Sequence, residues 1–104
     1  MQRNEVVIDG RLLKRSALRY TPAGIPVIEV LIGHSSIQTE AGSQRKTQCR
    51  IEATAIGEMA LRLSAARLSR PLQISGFLAQ HSVGNSRPVL HAVRVEPLAG
   101  DGRE

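Results

Sequence analysis

Positively charged side chains are concentrated in one short stretch, residues 42–50 (GSQRKTQCR), which leads into a run of alternating residues. It carries Arg45, Lys46 and Arg50 and no acidic residue. Guanidinium and ammonium groups form charge-assisted hydrogen bonds with anionic oxygens, and an amide such as that of Gln48 can add a neutral contact. The stretch therefore predicts either a clamp on a polyanion or a basic loop that is merely solvated.

A second group of cations lies near the N-terminus. Arg11, Lys14, Arg15 and Arg19 fall within nine residues that contain no acid. The whole chain has a net charge of +5 and a pI near 10.7, which is typical of proteins that bind nucleic acid or another anionic surface. A genomic bias towards arginine would give a similar total, so the clustering, rather than the net charge, favours a binding surface.

Residue types that carry catalysis or bind metal are sparse and widely spaced. His34, His81 and His91 are far apart in sequence, and the single Cys49 cannot form a zinc cluster of the usual spacing. A nucleophilic pair of Cys49 with a histidine is conceivable, but the alternation around this cysteine predicts that it faces the core. The sequence contains no H-x-x-x-H, paired carboxylate or GxGxxG motif. We therefore expect no enzyme activity, no metal and no cofactor.

Length and composition are those of one small globular domain. The chain has 104 residues, of which 41% are hydrophobic, and we expect residues 1–98 to form the domain and residues 99–104 (AGDGRE) a short flexible tail. No apolar run approaches the roughly 18 residues of a membrane span, and the N-terminus has no signal-peptide pattern. A single cysteine is consistent with the reducing cytoplasm. These features predict a cytoplasmic protein that does not enter a membrane.

Alternation of apolar and polar residues predicts most of the elements. In the third alternating run, for example, Cys49, Ile51, Ala53 and Ala55 should face inward. A segment with Leu61, Ala65 and Leu68 at helical spacing predicts one helix, which Pro71 would end. The predicted strands are residues 5–13, 27–37, 47–55, 72–81 and 88–98, the helix is 58–68, and a loop at 82–87 joins the last two strands.

This order of elements is that of an OB-fold. The sequence predicts an all-β domain, a five-stranded OB-fold barrel with one helix between strands 3 and 4 that closes one end of the barrel. Gly10, Gly33 and Gly76 lie inside predicted strands, where glycine permits sharp bends and close backbone approach. We therefore assign these glycines a structural role.

Several stretches together resemble the primosomal replication protein N (PriB) family. They are residues 21–26 (TPAGIP), 34–38 (HSSIQ), 40–42 (EAG), 76–77 (GF) and 89–92 (VLHA), with Cys49 after the basic hairpin. The resemblance covers about residues 4–98. It implies a homodimeric OB-fold that binds single-stranded DNA and helps the PriA helicase reload the replication machinery, with DnaT as a further partner. It also implies a bacterial protein that is not an enzyme and reaches the nucleoid through replication forks.

The resemblance also suggests DNA-binding positions. Lys14 and Arg19 match basic positions of the family on the first strand and the loop after it, Arg45 matches the hairpin between strands 2 and 3, and His81 matches the end of strand 4. Arg87 stands near a basic position in the last hairpin. Together with the two cationic clusters, these matches give the predicted DNA-binding residues Lys14, Arg15, Arg19, Arg45, Lys46, Gln48, Arg50, His81 and Arg87.

Departures from the family predict weak binding. Ser43 and Gln48 stand where family members can carry aromatic residues, and the only aromatic residues of the chain are Tyr20 and Phe77. Tyr20 is predicted to pack beside Pro22, with stacking on a base as the alternative. Phe77, within an apolar strand, is predicted to pack in the core or at a dimer interface. Stacking of one base on an aromatic side chain contributes about 1–3 kcal/mol. We therefore expect affinity for single-stranded DNA to be modest and strongly dependent on salt. Two other functions remain open, a protein-interaction adaptor for the helicase and a general protector of single-stranded DNA.

Overall fold

The computed structural model describes residues 1–98, so the predicted tail at 99–104 lies outside the described residues. No helix within the described part is long and apolar enough to cross a membrane. The elements are β1 (Val6–Arg15), β2 (Arg19–Tyr20), β3 (Pro26–Glu40), β4 (Ser43–Ile56), α1 (Glu58–Ala65), β5 (Pro71–Ser82) and β6 (Asn85–Pro97).

The long strands form a closed barrel. The strand order is β1-β5-β6-β4-β3-β2, and an additional pairing of β1 with β3 closes the sheet. All pairings are antiparallel except the short parallel contact between β4 and β6, where Ala53 lies opposite Leu90. The two-residue strand β2, which the sequence did not predict, pairs with the start of β3. The prediction of a five-stranded barrel with one helix after its third strand is confirmed.

The core of the barrel is apolar throughout. Among the described residues no polar or charged residue is buried, because the inward positions of every strand are aliphatic or alanine. Full burial of one such aliphatic side chain contributes roughly 1.5–3 kcal/mol. The polar and charged side chains of the described residues, and with them any binding site they form, therefore lie at the surface. The largest fully buried side chains are those of Leu12, Ile28, Ile32, Leu63, Ile74 and Leu90.

Two glycines allow backbones to approach closely inside the barrel wall, as predicted. A Cβ atom on Gly10 would lie 2.6 Å from the carbonyl oxygen of Gly33, and one on Gly76 would overlap the carbonyl of His91. A side chain at either position would therefore push neighbouring strands apart. The pairing of β1 with β3 also shifts by one residue between Leu12 and Lys14 and then continues to Arg15, which lies opposite Val30.

The predicted helix is too long, and its buried face is wrong. α1 ends at Ala65, because Ala66 already has extended backbone (φ −74°, ψ 148°) and the chain must turn before β5 begins at Pro71. The residues that α1 buries are Ala60 and Leu63, which pack into the core. Leu61 and Leu68, which the helical spacing placed on one face with Ala65, are 45% and 53% exposed.

The prediction that Cys49 faces the core is wrong. Its neighbours on the same face of β4, Ile51, Ala53 and Ala55, are half-buried or buried, but Cys49 is exposed. The pairing of β1 with β3 ends at Gly33, which is opposite Arg50 on β4. Beyond this point β3 and β4 continue as a two-stranded hairpin, and no third strand from residues 1–98 pairs with it, so an inward-pointing side chain faces solvent.

Both long hairpins end in tight two-residue turns. The predicted six-residue loop at 82–87 is too long, because β5 and β6 pair up to Ser82 and Asn85 and leave only Val83 and Gly84 between them. The other turn, at Ala41 and Gly42, has positive φ angles at both residues (53° and 81°). Two positive φ angles are typical of the tight turns that match the twist of a β-hairpin.

Candidate nucleic-acid interface

Five of the predicted DNA-binding residues line one groove on the outer face of the barrel. The groove has a volume of about 550 Å³ and lies among β1, the start of β3, the outer face of β4 and the β5–β6 hairpin. It brings together residues from distant parts of the sequence, because β4 pairs with β3 on one side and with β6 on the other. The five predicted residues are Lys14, Arg15, Arg19, His81 and Arg87.

Carboxylates already engage two of the groove's cations. Arg19 lies 3.3 Å from the carboxylate of Glu29, and Arg87 lies 2.9 Å from that of Glu52. All four side chains are about half exposed, so such pairs stabilise the fold very little. A phosphate that binds Arg19 or Arg87 must compete with these carboxylates. Lys14 forms no ion pair with any of residues 1–98, so none of these carboxylates competes with a phosphate for it.

Arg15 has a structural contact that its sequence position did not reveal. Its guanidinium donates hydrogen bonds to the carbonyl oxygens of Leu63, at 3.3 Å, and of Ala66. These carbonyls belong to the C-terminal end of α1, where the last carbonyl groups lack partners within the helix and a cation is favourable. Arg15 therefore joins β1 to the helix, and its DNA-binding role stays a prediction.

The other predicted residues lie on the part of the β3–β4 hairpin that extends beyond the barrel, which we call the distal hairpin (residues 33–50). Arg45 pairs with Glu40 across the turn at 2.9 Å. Lys46 and Arg50 are exposed and form no ion pair within the described part of the chain. The distal hairpin therefore presents two cations whose charge is not neutralised nearby.

The outer face of β4 connects the distal hairpin to the groove. Gln48 and Arg50 share this face with Glu52 and Thr54, which line the groove. Residues two apart on a strand are separated by about 7 Å. Gln48 and Arg50 also line a neighbouring cavity of about 620 Å³, together with Arg11. The predicted residues thus form two clusters along one continuous surface rather than a single pocket.

The structure offers no cysteine–histidine nucleophile at the position that the sequence left open. His34 lies directly opposite Cys49 in the register of β3 and β4. However, His34 Nδ1 lies 2.7 Å from the carbonyl oxygen of Asp9, and Nε2 lies 2.7 Å from Ser36 Oγ. Because a carbonyl only accepts, Nδ1 carries the proton and donates to Asp9. His34 therefore joins the distal hairpin to β1. Within residues 1–98, no three His, Cys, Asp or Glu side chains are grouped to hold a metal ion.

Sequence reasoning missed an aromatic pair beside the groove. The rings of Phe77 and His91 stack with centroids 5.0 Å apart and planes 6° from parallel, and His91 lines the groove. Phe77 is 40% exposed, so the prediction that it packs in the core is wrong, while its packing at a dimer interface stays a prediction. The pairing of Phe77 with His91 across β5 and β6 places both rings on the outer face. This register depends on an irregularity between Ser75 and Gly76, which the sequence does not predict.

Tyr20 is also more exposed than predicted. It was expected to pack near Pro22, but it is 60% exposed because it lies on the two-residue edge strand β2. It pairs with Pro26 and has no further strand beside it. The outer surface of the barrel therefore offers an exposed tyrosine and a stacked Phe–His pair, in addition to the predicted cations.

Comparison with known proteins shows which family the chain belongs to. Residues 4–94 match a family model described as "another single-strand binding protein family". The chain is 36% identical to replication restart protein PriB of Bordetella pertussis over 102 residues, covering 97% of this chain and 95% of that protein. It is also 36% identical to PriB of Nitrosomonas europaea over 91 residues, covering 88% and 84%.

A solved structure supports the same assignment. PriB from Ralstonia solanacearum superimposes with a TM-score of 0.84 and 31% sequence identity, covering 92% of this chain and 98% of that one. The matches extend over nearly the whole barrel, including the groove and the distal hairpin. The chain therefore belongs to the single-strand binding family and, within it, to the replication restart protein PriB family.

Proposed function

We propose that this chain binds single-stranded DNA without sequence preference and acts as an accessory factor of the replication-restart primosome, stabilising the PriA helicase on DNA. The observation that carries the proposal is the continuous outer surface on which Lys14, Lys46 and Arg50 lie without ion pairs among residues 1–98. Its relatives are named for replication restart and single-strand binding.

The mechanism is electrostatic contact with the DNA backbone. A strand that enters at the distal hairpin meets Lys46 and Arg50 and then runs along the outer face of β4 towards the groove. There Lys14 contacts phosphate directly, while Arg19 and Arg87 do so only by leaving their carboxylates. Contacts of this kind carry no sequence information. Binding is therefore independent of base composition, and the Phe77–His91 pair is placed to support a base beside the groove.

The chain's proposed partners follow from the same family. We propose that it works as a homodimer, so that the basic surfaces of two copies form a longer path, and that PriA and DnaT contact it in the bacterial cytoplasm at replication forks. Handover of DNA would follow if these partners compete for part of the same surface. A titration in which PriA and an oligonucleotide bind together with no mutual weakening would contradict this competition.

Fluorescence anisotropy with labelled oligonucleotides tests the proposed function. Homopolymeric and mixed single strands of equal length should bind with similar affinity, and duplex DNA more weakly. The variant K14A/K46A/R50A should lose most of the affinity, because it removes three cations of this surface that form no ion pair with any of residues 1–98. Equal preference for duplex, or unchanged affinity in this variant, would contradict the proposal. R3A/R94A is a control, since these exposed arginines lie outside the groove and the distal hairpin.

A second candidate function is a protein-interaction adaptor that grips DNA only weakly. It is favoured by the serine and glutamine at positions 43 and 48 and by the ion pairs that neutralise Arg19, Arg45 and Arg87. The two functions differ in one measurable consequence. If K14A/K46A/R50A abolishes DNA binding but still stimulates PriA unwinding fully, the adaptor function is correct. If stimulation falls with DNA affinity, DNA binding is the function.

A further inference from the structure

A second strongly basic surface lies at the end of the barrel that α1 covers, and the DNA-binding prediction does not use it. It is a cleft with a volume of about 1100 Å³. Its sides combine cationic and apolar residues, and no acidic residue among residues 1–98 lines it. The cationic residues are Arg11, Arg62, Arg67 and Arg70, and the apolar ones include Leu68, Leu72, Val95, Pro97 and Leu98.

Two of these arginines, Arg67 and Arg70, lie on a turn that hydrogen bonds fix to β1. Between α1 and β5 the backbone of Ser69 has φ +66°, a conformation that costs a residue with a side chain about 1–2 kcal/mol. Two hydrogen bonds hold Ser69 in place: its N–H donates to the carbonyl of Leu12 at 2.7 Å, and its carbonyl accepts from Arg11 Nη1 at 2.8 Å. The turn that carries Arg67 and Arg70 is therefore fixed to β1 before any ligand binds.

The charges of this turn are not satisfied within the described chain. Arg62 reaches Glu58 at 3.5 Å, but the side chains of Arg67 and Arg70 form no hydrogen bond or ion pair with any of residues 1–98. This differs from the groove, where Glu29 and Glu52 line the walls and pair with Arg19 and Arg87. Among residues 1–98, no carboxylate therefore compensates the charge of Arg67 or Arg70.

The lining of the cleft distinguishes a peptide from a nucleic acid. None of its lining residues is aromatic, so it has no platform on which a base can stack. It has instead an aliphatic surface, with Leu68 53% exposed next to Arg67. An aliphatic patch rimmed by arginines complements a peptide in which acidic residues flank an apolar side chain, because the apolar side chain is desolvated while the carboxylates bind the guanidinium groups.

We infer that this arginine cleft is a docking site for an acidic protein segment that carries an apolar side chain. It adjoins the cavity beside the distal hairpin, with which it shares Arg11, Pro71 and Leu98, but none of the residues proposed to bind DNA lines it. The apolar side chain lies against Leu68, and the flanking carboxylates pair with Arg67 and Arg70. The site lets a partner protein be held while the distal hairpin and the groove remain free to contact DNA.

The test compares two charge-reversal variants that change the net charge equally. R67E/R70E alters the cleft, and K46E/R50E alters the distal hairpin. Each is titrated with a fluorescein-labelled short peptide of aspartates and glutamates around one leucine, and separately with labelled oligo-dT. We expect R67E/R70E to weaken peptide binding at least tenfold and to leave oligo-dT binding within about threefold. K46E/R50E should do the reverse.

Two further measurements separate the site from general electrostatic attraction. A peptide with serine in place of leucine, and the variant L68S with the original peptide, should each bind several-fold more weakly. Circular dichroism melting checks that the variants fold, which we expect because all of the altered side chains are exposed.

Four outcomes would overturn the inference. These are no peptide binding by the unaltered protein at low salt, equal loss of peptide binding in both reversal variants, loss of oligo-dT rather than peptide binding in R67E/R70E, and a changed oligomeric mass in R67E/R70E with unchanged peptide binding. The third would make the cleft part of the DNA path, and the fourth would make it a contact between copies of the chain. If neither variant loses oligo-dT binding, the proposed DNA surface is contradicted, but the inference about the cleft is not.

Discussion

The two halves of the β3–β4 hairpin share one continuous register, yet they are buried to very different degrees. In the half that belongs to the barrel, Ile28, Ile32 and Ala53 are fully or almost fully buried. In the distal hairpin, residues 33–50, no residue is buried, and Cys49 is exposed although it shares a face of β4 with Ala53. The change occurs where pairing with β1 ends at Gly33. Alternation thus sets which way a side chain points, but a third strand decides whether anything covers it.

This difference also separates stability from binding. The barrel half contributes the apolar surface that holds the fold together, whereas the distal half projects two unpaired cations, Lys46 and Arg50, into solvent. Substitutions in the barrel half should therefore lower the free energy of unfolding, and substitutions in the distal half should alter binding while leaving stability nearly unchanged.

The largest expected effect is the loss of a core isoleucine. Ile32→Ala removes a side chain with no exposed surface and leaves a cavity, so the free energy of unfolding should fall by about 2–5 kcal/mol in urea denaturation. Ile37→Ala makes the same chemical change in the distal hairpin and should cost less than about 0.5 kcal/mol. Equal losses in the two variants would mean that the distal hairpin is covered in solution.

A smaller effect is expected from adding a hydroxyl to two positions on the same face of β4. Ala53→Ser places an unpaired hydroxyl in the core and should cost about 1–3 kcal/mol. Cys49→Ser should change stability by less than about 0.5 kcal/mol, since the thiol is already exposed. A large loss of unfolding free energy in Cys49→Ser, measured by thermal or urea unfolding, would indicate that Cys49 faces the core, as the sequence predicted.

The smallest effect concerns the tip of the distal hairpin. Ala41 has φ +53°, where a residue with a Cβ is strained, and asparagine tolerates this conformation better. Ala41→Asn should therefore raise the free energy of unfolding by about 0.5–1 kcal/mol. A decrease in the melting temperature would show that the tip does not hold this turn.

Much of the fold was predictable, because it depends on local patterns. The alternating runs predicted the five long strands, and the helix-forming segment after Ile56 predicted α1. The end of the helix was not predictable, since it depends on a turn held by Leu12 and Arg11 from β1. The exposure of Cys49 could not be read from its own strand either, because it depends on where β1 stops.

The candidate site was predictable as a list of cations but not as an arrangement. Resemblance and clustering gave residues on both the distal hairpin and the groove, yet the carboxylates that engage Arg19 and Arg87 come from distant positions, Glu29 and Glu52. Likewise, Arg15 contacts the end of α1 and His91 stacks on Phe77. Contacts between strands distant in sequence decide these roles, and alternation carries no information about them.

The salt dependence of binding to labelled oligo-dT tests the central claim most directly. With three to five phosphate contacts, affinity should fall roughly 20- to 130-fold between 50 and 200 mM salt, and removal of two contacts in K46A/R50A should reduce the slope of log affinity against log salt by about 1.4. This result, with an unchanged urea midpoint, would confirm that the distal hairpin binds the DNA backbone. An unchanged slope in K46A/R50A, or no measurable binding by the unaltered protein at low salt, would contradict it.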